Sequence, residues 1–274
     1  MPKLLPTISE LRSQASAWRT RGETIALVPT MGALHDGHIS LVMQAQTLAR
    51  RVVVSIFVNP TQFAANEDLS KYPRPFAADM ARLKLAGADA VFNPTVAEMY
   101  GSGFCTTISL EGPAKVGLED AFRPTHFSGV ATVVTKLLLQ AQPDFALFGE
   151  KDYQQLAVVR QLVRDLNIPA QIIGGPTLRE PDGLAMSSRN VFLNDADRKI
   201  APQIFNVMNW CASEFKHRES VAVLAEGRAK LEAAGFKLDY LELRDAASLA
   251  KVEKISAPCR LLFAGRLSNT RLID

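Results

Sequence analysis

Two histidines lie where the sequence predicts the start of a helix. His35 and His38 stand on either side of Gly37, directly after the apolar run 25–28, an order that predicts a strand, a tight loop and a helix. Helix N-termini favour phosphate because their backbone N–H groups are free and the helix dipole is positive there. Imidazoles at such a place can donate hydrogen bonds to phosphate, and a protonated imidazole adds positive charge. The alternatives are an ordinary surface loop or half of a metal site, which would need further ligands.

A second polar motif follows the next predicted strand, 52–58. Asn59 and Gln62 carry side-chain amides, which both donate and accept hydrogen bonds and therefore suit a polar substrate. Asn59 precedes Pro60, and this pair is also common turn chemistry, so a turn explains Asn59 at least as well as a binding role does. The segment 59–75 is a long loop with three prolines, and we interpret it as a candidate lid.

A third motif follows the predicted strand 145–148. It consists of Gly149, Glu150, Lys151 and Asp152, and the next helix is predicted over 152–167. Lys151 could offer a point charge to phosphate, although most lysines are solvated surface residues. Asp152 is a favourable N-cap for the helix.

A fourth motif, 186–190, has the sequence MSSRN. The hydroxyls of Ser187 and Ser188 together with the guanidinium of Arg189 form a compact set of donors for phosphate oxygens. The same residues could equally form a turn before the next helix. The segment 179–190 is a second candidate for a lid.

Three well-known catalytic signatures are missing from the sequence. It contains no G-x-x-x-x-G-K-[ST] phosphate loop, no G-x-G-x-x-G after the first apolar strand and no G-x-S-x-G elbow. A P-loop ATPase and an ordinary dinucleotide dehydrogenase are therefore disfavoured.

The order of the predicted elements indicates an α/β fold. Apolar runs without alternation are typical of parallel strands that are buried on both faces, and strands that alternate with helices favour a doubly wound sheet of the Rossmann-like kind. The predicted strands are 24–28, 52–58, 90–92, 145–148 and 171–173, and helices are predicted over 76–86, 129–142 and 152–167. Because ligands bind beyond the carboxyl ends of such strands, we expect the first three motifs to converge.

The pattern changes near residue 176. We predict a domain boundary there, with residues 1–175 forming the Rossmann-like domain and 176–274 a smaller α+β domain that carries the fourth motif and closes over the site. The second domain is predicted to contain two long helices, 195–217 and 220–234, followed by the paired strands 238–243 and 261–264.

Charge and cysteine content limit the partners and the compartment. The net charge of +3 comes from 31 basic and 28 acidic residues, which is too even a balance to indicate a nucleic-acid or membrane surface. The three cysteines are widely spaced, so a disulfide framework or zinc site is not expected. We see no signal-peptide pattern and no apolar run near the roughly 20 residues that span a bilayer, and we expect a cytoplasmic protein.

Taken together, the motifs resemble the pantothenate synthetase family. Five of them occur in order, and the match continues into 239–244 and 270–274. The five motifs are 29–38 (PTMGALHDGH), 57–63 (FVNPTQF), 123–129 (RPTHFSG), 148–155 (FGEKDYQQ) and 186–190 (MSSRN). The family belongs to the nucleotidylyltransferase superfamily, whose second signature is a Lys-Met-Ser-Lys-Ser-like loop. Residues 186–189 would be that loop here, with Arg189 in place of the second lysine.

The resemblance implies ATP-dependent condensation of (R)-pantoate with β-alanine. Pantoate would first be adenylated with release of diphosphate, and the amine of β-alanine would then displace AMP to give pantothenate. Mg²⁺ would accompany ATP, and the protein would be a homodimer. The metal ligands stay unassigned.

The resemblance also implies roles for individual residues. His38 would be the principal catalytic residue, His35 would assist at the phosphates, and Lys151 and Arg189 would offset phosphate charge. Gln62 and Gln155 would hold pantoate, with Asn59 in the same substrate-binding set, and Gln62 would also contact β-alanine. The ATP-binding set would be Met31, Gly32, Ala33, Leu34, His35, Asp36, Gly37, His38, Gly149, Glu150, Lys151, Asp152, Leu178, Met186, Ser187, Ser188 and Arg189.

Two other functions remain open at this point. A different nucleotidylyltransferase could act on a phosphorylated acceptor, but the two glutamines and the lack of an extra basic cluster argue against it. A regulatory protein that binds a nucleotide without turnover is the other alternative, and the presence of all the polar motifs argues against that.

Overall fold

A computed structural model of the chain describes residues 1–63 and 69–274. The chain divides into two compact units, Met1–Pro176 and Thr177–Asp274, so the division lies one residue from the predicted boundary. Within the described residues, the search for a helix with the length and apolar character needed to cross a membrane finds none.

The first unit is built on a six-stranded parallel sheet. Its strands are β1 (Lys3–Leu5), β2 (Ile25–Thr30), β3 (Arg51–Ile56), β4 (Ala90–Phe92), β5 (Phe145–Gly149) and β6 (Gln171–Gly175). Their order in the sheet is β1-β4-β3-β2-β5-β6, and every neighbouring pair is parallel, as predicted. Strand β1 was not predicted, and β3 ends at Ile56, two residues earlier than predicted, because the apolar run continues past the last ladder pair.

Seven helices of the first unit are described. They are α1 (Ile8–Thr20), α2 (Asp36–Leu48), α3 (Phe76–Leu85), α4 (Val96–Met99), α5 (Glu119–Phe122), α6 (His126–Ala141) and α7 (Tyr153–Asp165). Local sequence signals fix several of their ends. Thr7 and Glu10 form a reciprocal capping box at the start of α1, and Gly87 follows α3 with a φ of +74°.

Alternate residues of β2 enter two different cores, which explains its unbroken apolar run. Ile25 and Leu27 belong to a buried cluster that includes side chains of α1, α6 and α7. Ala26 and Val28 belong to a second cluster, which includes side chains of α2 and α3. Both faces of the strand are therefore covered, so no position of the run can be polar without a partner.

The strand order reverses between β2 and β5. Along the chain, β2 is followed by β3 on one side, whereas β5 and β6 lie on the other side of β2. Such a reversal leaves a crevice at the carboxyl ends of the two strands, where open α/β sheets bind their ligands. The loops after β2 and β5 carry the histidine motif and the Lys151 motif.

The second unit combines three helices with a small antiparallel sheet in the part of the chain described. Its elements are α8 (Asp195–Ile200), α9 (Gln203–Glu214), α10 (Ser220–Ala233), β7 (Lys237–Asp245), β8 (Cys259–Leu267) and β9 (Thr270–Ile273), with strand order β7-β8-β9. The predicted single helix 195–217 was wrong. It is interrupted before Pro202, which has no N–H to donate and clashes with the preceding turn. The predicted pairing of the two strands is confirmed, and β9 was missed.

Truncation of a β2 core residue tests how much packing against the sheet contributes to the stability of the first unit. We expect Leu27→Ala to lower the free energy of unfolding by about 2–5 kcal/mol, because a buried cavity would be left between the sheet and its helices. Urea denaturation followed by circular dichroism measures this. Leu85→Ala is the matched control, since that side chain is 88% exposed and its loss should cost less than about 0.5 kcal/mol. Equal losses for the two variants would contradict the described core.

Candidate active site

The two imidazoles lie at the first turn of α2. His35 is the N-cap and His38 is the third residue of the helix, and their ring centroids are 4.0 Å apart. The backbone N–H of His35 donates to Nδ1 of His38 at 3.3 Å. Because Nδ1 accepts this bond, the neutral ring of His38 carries its proton on Nε2, which is left as a hydrogen-bond donor.

Desolvation favours the neutral form of both imidazoles, which are half-buried. Desolvation, with smaller contributions from His35 and the charge of Lys151, lowers the pKa of His38 to about 3. Desolvation and the charge of Lys151 lower the pKa of His35 to about 4. In the protein without ligand the two rings therefore act as neutral donors beside the positive charge of Lys151, and a protonated imidazole in the presence of phosphate stays a prediction.

One carboxylate holds the loop that precedes the histidines. Asp79 of α3 accepts the backbone N–H of Ala33 at 2.9 Å and of Leu34 at 2.8 Å, and only 2% of it is exposed. Gly32 and Ala33 both have positive φ, at +81° and +50°. A Cβ on Gly32 would lie 3.0 Å from Oδ2 of Asp79, so this tight loop favours glycine there.

Asp79 is not among the predicted site residues, although the sequence carries a signal for it. Asp79 lies among Phe76, Met80 and Leu83, the residues that pack α3 against the core, and a carboxylate in such a stripe needs a specific partner. Burial raises the pKa of Asp79, and the hydrogen bonds from Leu34 and Ala33 oppose that rise.

Asn59 has its whole amide engaged within the protein. Its Nδ2 donates to Oε1 of Gln62 at 3.1 Å and to the carbonyl of Gly129 at 3.2 Å. Its Oδ1 accepts from Tyr100 Oη at 2.7 Å and from the hydroxyl of Thr61 at 2.9 Å. These contacts favour a supporting role, in which Asn59 orients Gln62, over the direct substrate contact that the resemblance implied.

Gln62 joins the second motif to the first. Its Nε2 donates to the sulfur of Met31 at 3.1 Å, and its backbone carbonyl accepts from Nδ1 of His126 at 3.0 Å and from Arg123 at 3.3 Å. An amide nitrogen carries two hydrogens and an amide oxygen has two lone pairs, so the side chain of Gln62 keeps hydrogen-bonding capacity for a ligand.

Gly129 lets α6 approach the turn that carries Gln62. A Cβ at this position would lie only 2.3 Å from the carbonyl oxygen of Thr61, so the helix and the turn touch through their backbones. The motif 123–129 therefore has a structural role that its presence in the resemblance did not reveal: Arg123, His126 and Gly129 hold the turn at 60–62.

The loop after β5 presents Lys151 to the histidines. Residues Glu150–Asp152 form one turn of 3-10 helix, and α7 begins at Tyr153. The Nζ of Lys151 lies 3.6 Å from Oδ1 of Asp152, which occupies the N-cap position but makes no capping hydrogen bond, contrary to expectation. Gln155, in the first turn of α7, is half-buried, and its side-chain amide has no hydrogen bond within the described residues.

The fourth motif lies in the second unit, at the base of a hairpin. The N–H of Met186 donates to the carbonyl of Leu178 at 2.9 Å, which brings together two predicted ATP contacts eight residues apart. Ser187 caps the 3-10 helix Ser188–Phe192 by accepting from the N–H of Arg189 at 3.2 Å. The segment 179–190 is therefore a hairpin followed by a helical turn.

The first three motifs thus converge in the first unit, as the sheet edge predicted. Asp36, at the first turn of α2, is exposed and pairs with Arg82 at 2.9 Å. The predicted lid 59–75 is only partly described, because 64–68 lie outside the described residues, and its closure stays a prediction. Within 1–63 and 69–274, no group of three or more His, Cys, Asp or Glu residues lies close enough together to hold a metal ion.

Comparison with known proteins gives matches along nearly the whole chain. Residues 3–274 match the family model described as pantoate-beta-alanine ligase. The pantothenate synthetase of Rhodopseudomonas palustris strain HaA2 is 53% identical over 275 aligned positions, covering 100% of this chain and 97% of the relative. The corresponding protein of Paramagnetospirillum magneticum is 54% identical over 273 positions, covering 99% and 96%.

Solved structures give the same result. The pantothenate synthetase of Thermus thermophilus superposes with a TM-score of 0.94 at 43% identity, covering 99% of this chain and 98% of that one. The pantoate-beta-alanine ligase of Francisella tularensis, solved in complex with beta-gamma ATP and β-alanine, superposes with a TM-score of 0.86 at 36% identity, covering 100% and 97%.

Removal of the Asp79 charge should destabilise the first unit. We expect Asp79→Asn to cost about 1–3 kcal/mol in the free energy of unfolding, because the new NH₂ group would face a backbone N–H and leave it unpaired. Urea denaturation measures the loss. Glu111→Gln is the control, since the side chain of Glu111 is 78% exposed in its pair with Lys115 and should matter by less than about 1 kcal/mol. An unchanged Asp79→Asn stability would refute the anchoring role.

The desolvated imidazoles of His35 and His38 should make stability fall in mild acid. Their pKa values lie near 4 and 3 in the folded protein against an ordinary value of 6.5, so the unfolded chain binds protons first as pH drops. Stability is therefore complete above about pH 6.5 and is lost as pH falls towards 4, with each imidazole adding up to about 1.4 kcal/mol per pH unit to the slope. Unfolding free energies measured from pH 7.5 to 4 should show a shallower slope in His35→Asn and His38→Asn. His217 is exposed, so His217→Asn serves as the control. If His35→Asn and His38→Asn keep the slope of the parent protein, the two imidazoles are not desolvated.

Proposed function

Because this chain belongs to the pantoate-beta-alanine ligase family of enzymes, we propose that it condenses (R)-pantoate with β-alanine in two steps. A carboxylate oxygen of pantoate bonds to the α-phosphorus of ATP, and diphosphate leaves. The amine of β-alanine then attacks the acyl carbon of pantoyl adenylate and loses a proton, and AMP departs with the bonding electrons to leave pantothenate. The observation that carries this proposal is the pair of neutral imidazoles and one lysine at the strand-order reversal, with the amide of Gln62 held against Met31 of the same loop.

The first step brings two anions together, and three features of the site offset their repulsion. The α2 N-terminus directs its dipole towards the place where the imidazoles lie. His38 offers an Nε2 hydrogen without requiring prior protonation. Lys151 supplies the full positive charge. The substrate carboxylate is itself the nucleophile, so no side chain has to form a covalent intermediate.

The amides orient pantoate for both steps. Gln62 is held through its side chain by Asn59 and Met31 and through its backbone carbonyl by His126. A side chain with so few free rotations loses little entropy when it binds a hydroxyl or carboxylate. We assign Gln155 to the same substrate, and we assign the β-alanine contact to Gln62. Alignment of the reacting groups in this manner supplies several kcal/mol of the acceleration that such enzymes need.

The nucleotide enters as its magnesium complex. Mg²⁺ usually keeps several waters and is bound largely through substrate phosphates, so we treat MgATP as the substrate. We assign its remaining contacts to Leu178 and to 186–189 in the second unit, with Arg189 offsetting phosphate charge, and we propose that this unit closes over the site and shields the adenylate from water. We further propose that the protein forms a homodimer. We place it in the cytoplasm, because a reducing compartment suits its three free thiols.

The decisive assay measures diphosphate release. With MgATP and pantoate alone, we expect a burst equivalent to about one site, and addition of β-alanine should convert it into steady turnover with one AMP formed per diphosphate. Formation of ADP and phosphate would overturn the proposal. Release with a phosphorylated acid instead of pantoate would favour the other nucleotidylyltransferase activity, and tight ATP binding with no turnover of any acid would favour a regulatory protein.

Loss of the phosphate-facing groups should slow the chemical step without unfolding the protein. We expect His38→Ala and Lys151→Met each to lower kcat by about 10²–10³-fold, since each removes one preorganised group that stabilises the developing charge. Diphosphate release gives kcat, and circular dichroism checks folding. Lys115→Met, at an exposed position, is the control for lysine removal. Rates within about twofold of the parent for a folded Lys151→Met would exclude its role.

Loss of the Gln62 amide should weaken pantoate selectively. We expect Gln62→Leu to raise the KM for pantoate by about 3–10-fold, the equivalent of one hydrogen bond, with the KM for ATP nearly unchanged. Initial rates at varied pantoate and varied ATP separate the two constants. Gln161→Leu, at a partly exposed position of α7 where the side chain donates to Asp165, is the control. A rise in the KM for ATP alone would contradict the assignment.

A further inference from the structure

The hairpin that precedes the fourth motif is clamped by one guanidinium. Arg179 donates from Nη1 to Oδ2 of Asp274 at 2.5 Å and from Nη2 to Oδ1 at 2.8 Å, which is a two-pronged pair. Its Nη1 also donates to the carbonyl of Gly183 at 3.1 Å, and its plane lies 4.0 Å over the ring of Phe205. One side chain therefore contacts the hairpin turn, helix α9 and Asp274.

Asp274 gives this clamp a fixed support. Its N–H and carbonyl both pair with the backbone of Phe263 in β8, at 3.0 and 2.9 Å. Its carboxylate is almost fully buried, whereas the arginine is about one-quarter exposed. A planar guanidinium that meets a carboxylate through two parallel hydrogen bonds fixes direction as well as distance, which a lysine cannot do.

The hairpin itself couples the clamp to the fourth motif. Arg179 and Ala185 form a bridge, and the next pair outward joins Leu178 to Met186. At the turn, Gly183 has a φ of +94°, and a Cβ there would lie 2.4 Å from the Phe205 ring. The turn is thus packed against α9, and Arg179 is next to the Leu178–Met186 pair at the base of the hairpin.

We propose that Arg179 and Asp274 are positioning residues for the nucleotide, because their ion pair sets where Leu178 and the 186–189 segment lie on the second unit. This inference rests on the proposed ATP role of those residues. Buried ion pairs are weak evidence of net stability, since desolvation offsets their attraction, so a geometric function is the better account of this pair. Neither residue has to touch ATP for this role.

The test compares the kinetic constants of four variants. Asp274→Asn leaves the guanidinium without its anion, and Arg179→Lys keeps the charge but loses the two-pronged geometry. Asp239→Asn is the matched control, because Asp239 pairs with Arg271 at 2.7 Å in the same sheet, is similarly buried and has no hydrogen bond to 178–186 in the described chain. Arg189→Ala reports on the ATP assignment itself. Thermal unfolding is recorded for all four variants.

We expect Asp274→Asn to raise the KM for ATP by about tenfold, as misplacement of a binding group by a fraction of an ångström does. Arg179→Lys should give a smaller rise of the same kind, and the KM for β-alanine should stay within about twofold in both, since that substrate does not use the hairpin. Asp239→Asn should lower the unfolding temperature without raising the KM for ATP.

Two results would overturn the inference, and they differ in what else they overturn. If Arg189→Ala raises the KM for ATP but Asp274→Asn does not, or does so no more than Asp239→Asn, the clamp has only a structural role and the proposed function stands. If neither Arg189→Ala nor Asp274→Asn changes the KM for ATP, the assignment of ATP to this hairpin fails as well.

Discussion

The carboxylate of Asp79 is the contact on which the arrangement of the first unit's site depends. Ala33 has a φ of +50°, which is unfavourable for a residue with a Cβ unless something holds it, and Asp79 does so by accepting two adjacent backbone N–H groups. On one side of this anchor, the loop places the sulfur of Met31 in contact with the amide of Gln62. On the other side, it leads directly into His35 and the first turn of α2. The histidine motif and the turn that carries Gln62 are therefore connected through a loop held by the same buried group.

The electrostatics of the site depend on burial more than on the number of charged groups. The two imidazoles are held in the neutral form by desolvation and by the nearby Lys151, so the protein without ligand has donors ready and little charge to neutralise. An arriving polyphosphate would change that balance, because an anion favours the protonated form of a neighbouring imidazole. ATP binding would therefore itself favour a positive charge on an imidazole at the site.

The amide of Gln62, which we assign to the substrate, is supported through both its side chain and its backbone carbonyl. Gln62 receives its orientation from Asn59, while its backbone carbonyl is held by Arg123 and His126. Gly129 allows the helix to approach this turn without a side chain between them. A binding group held in this way can distinguish a hydroxyl from an apolar group because it cannot turn away when the partner is missing.

The sequence by itself determined the parallel sheet, the position of the division near residue 176 and the types of residue at the site, because apolar runs, turn residues and motif spacing are local properties. It also determined the family, since five motifs in order are specific where one is not. Only the tertiary structure decided that Asp79 anchors a loop 46 residues away, that Asn59 supports Gln62 through its amide, and that Arg179 meets Asp274 across 95 residues. These outcomes depend on which side chains share a buried volume, where an unpaired polar group is costly and a pKa shifts. Spacing along the chain carries no information on such neighbours until the chain has folded.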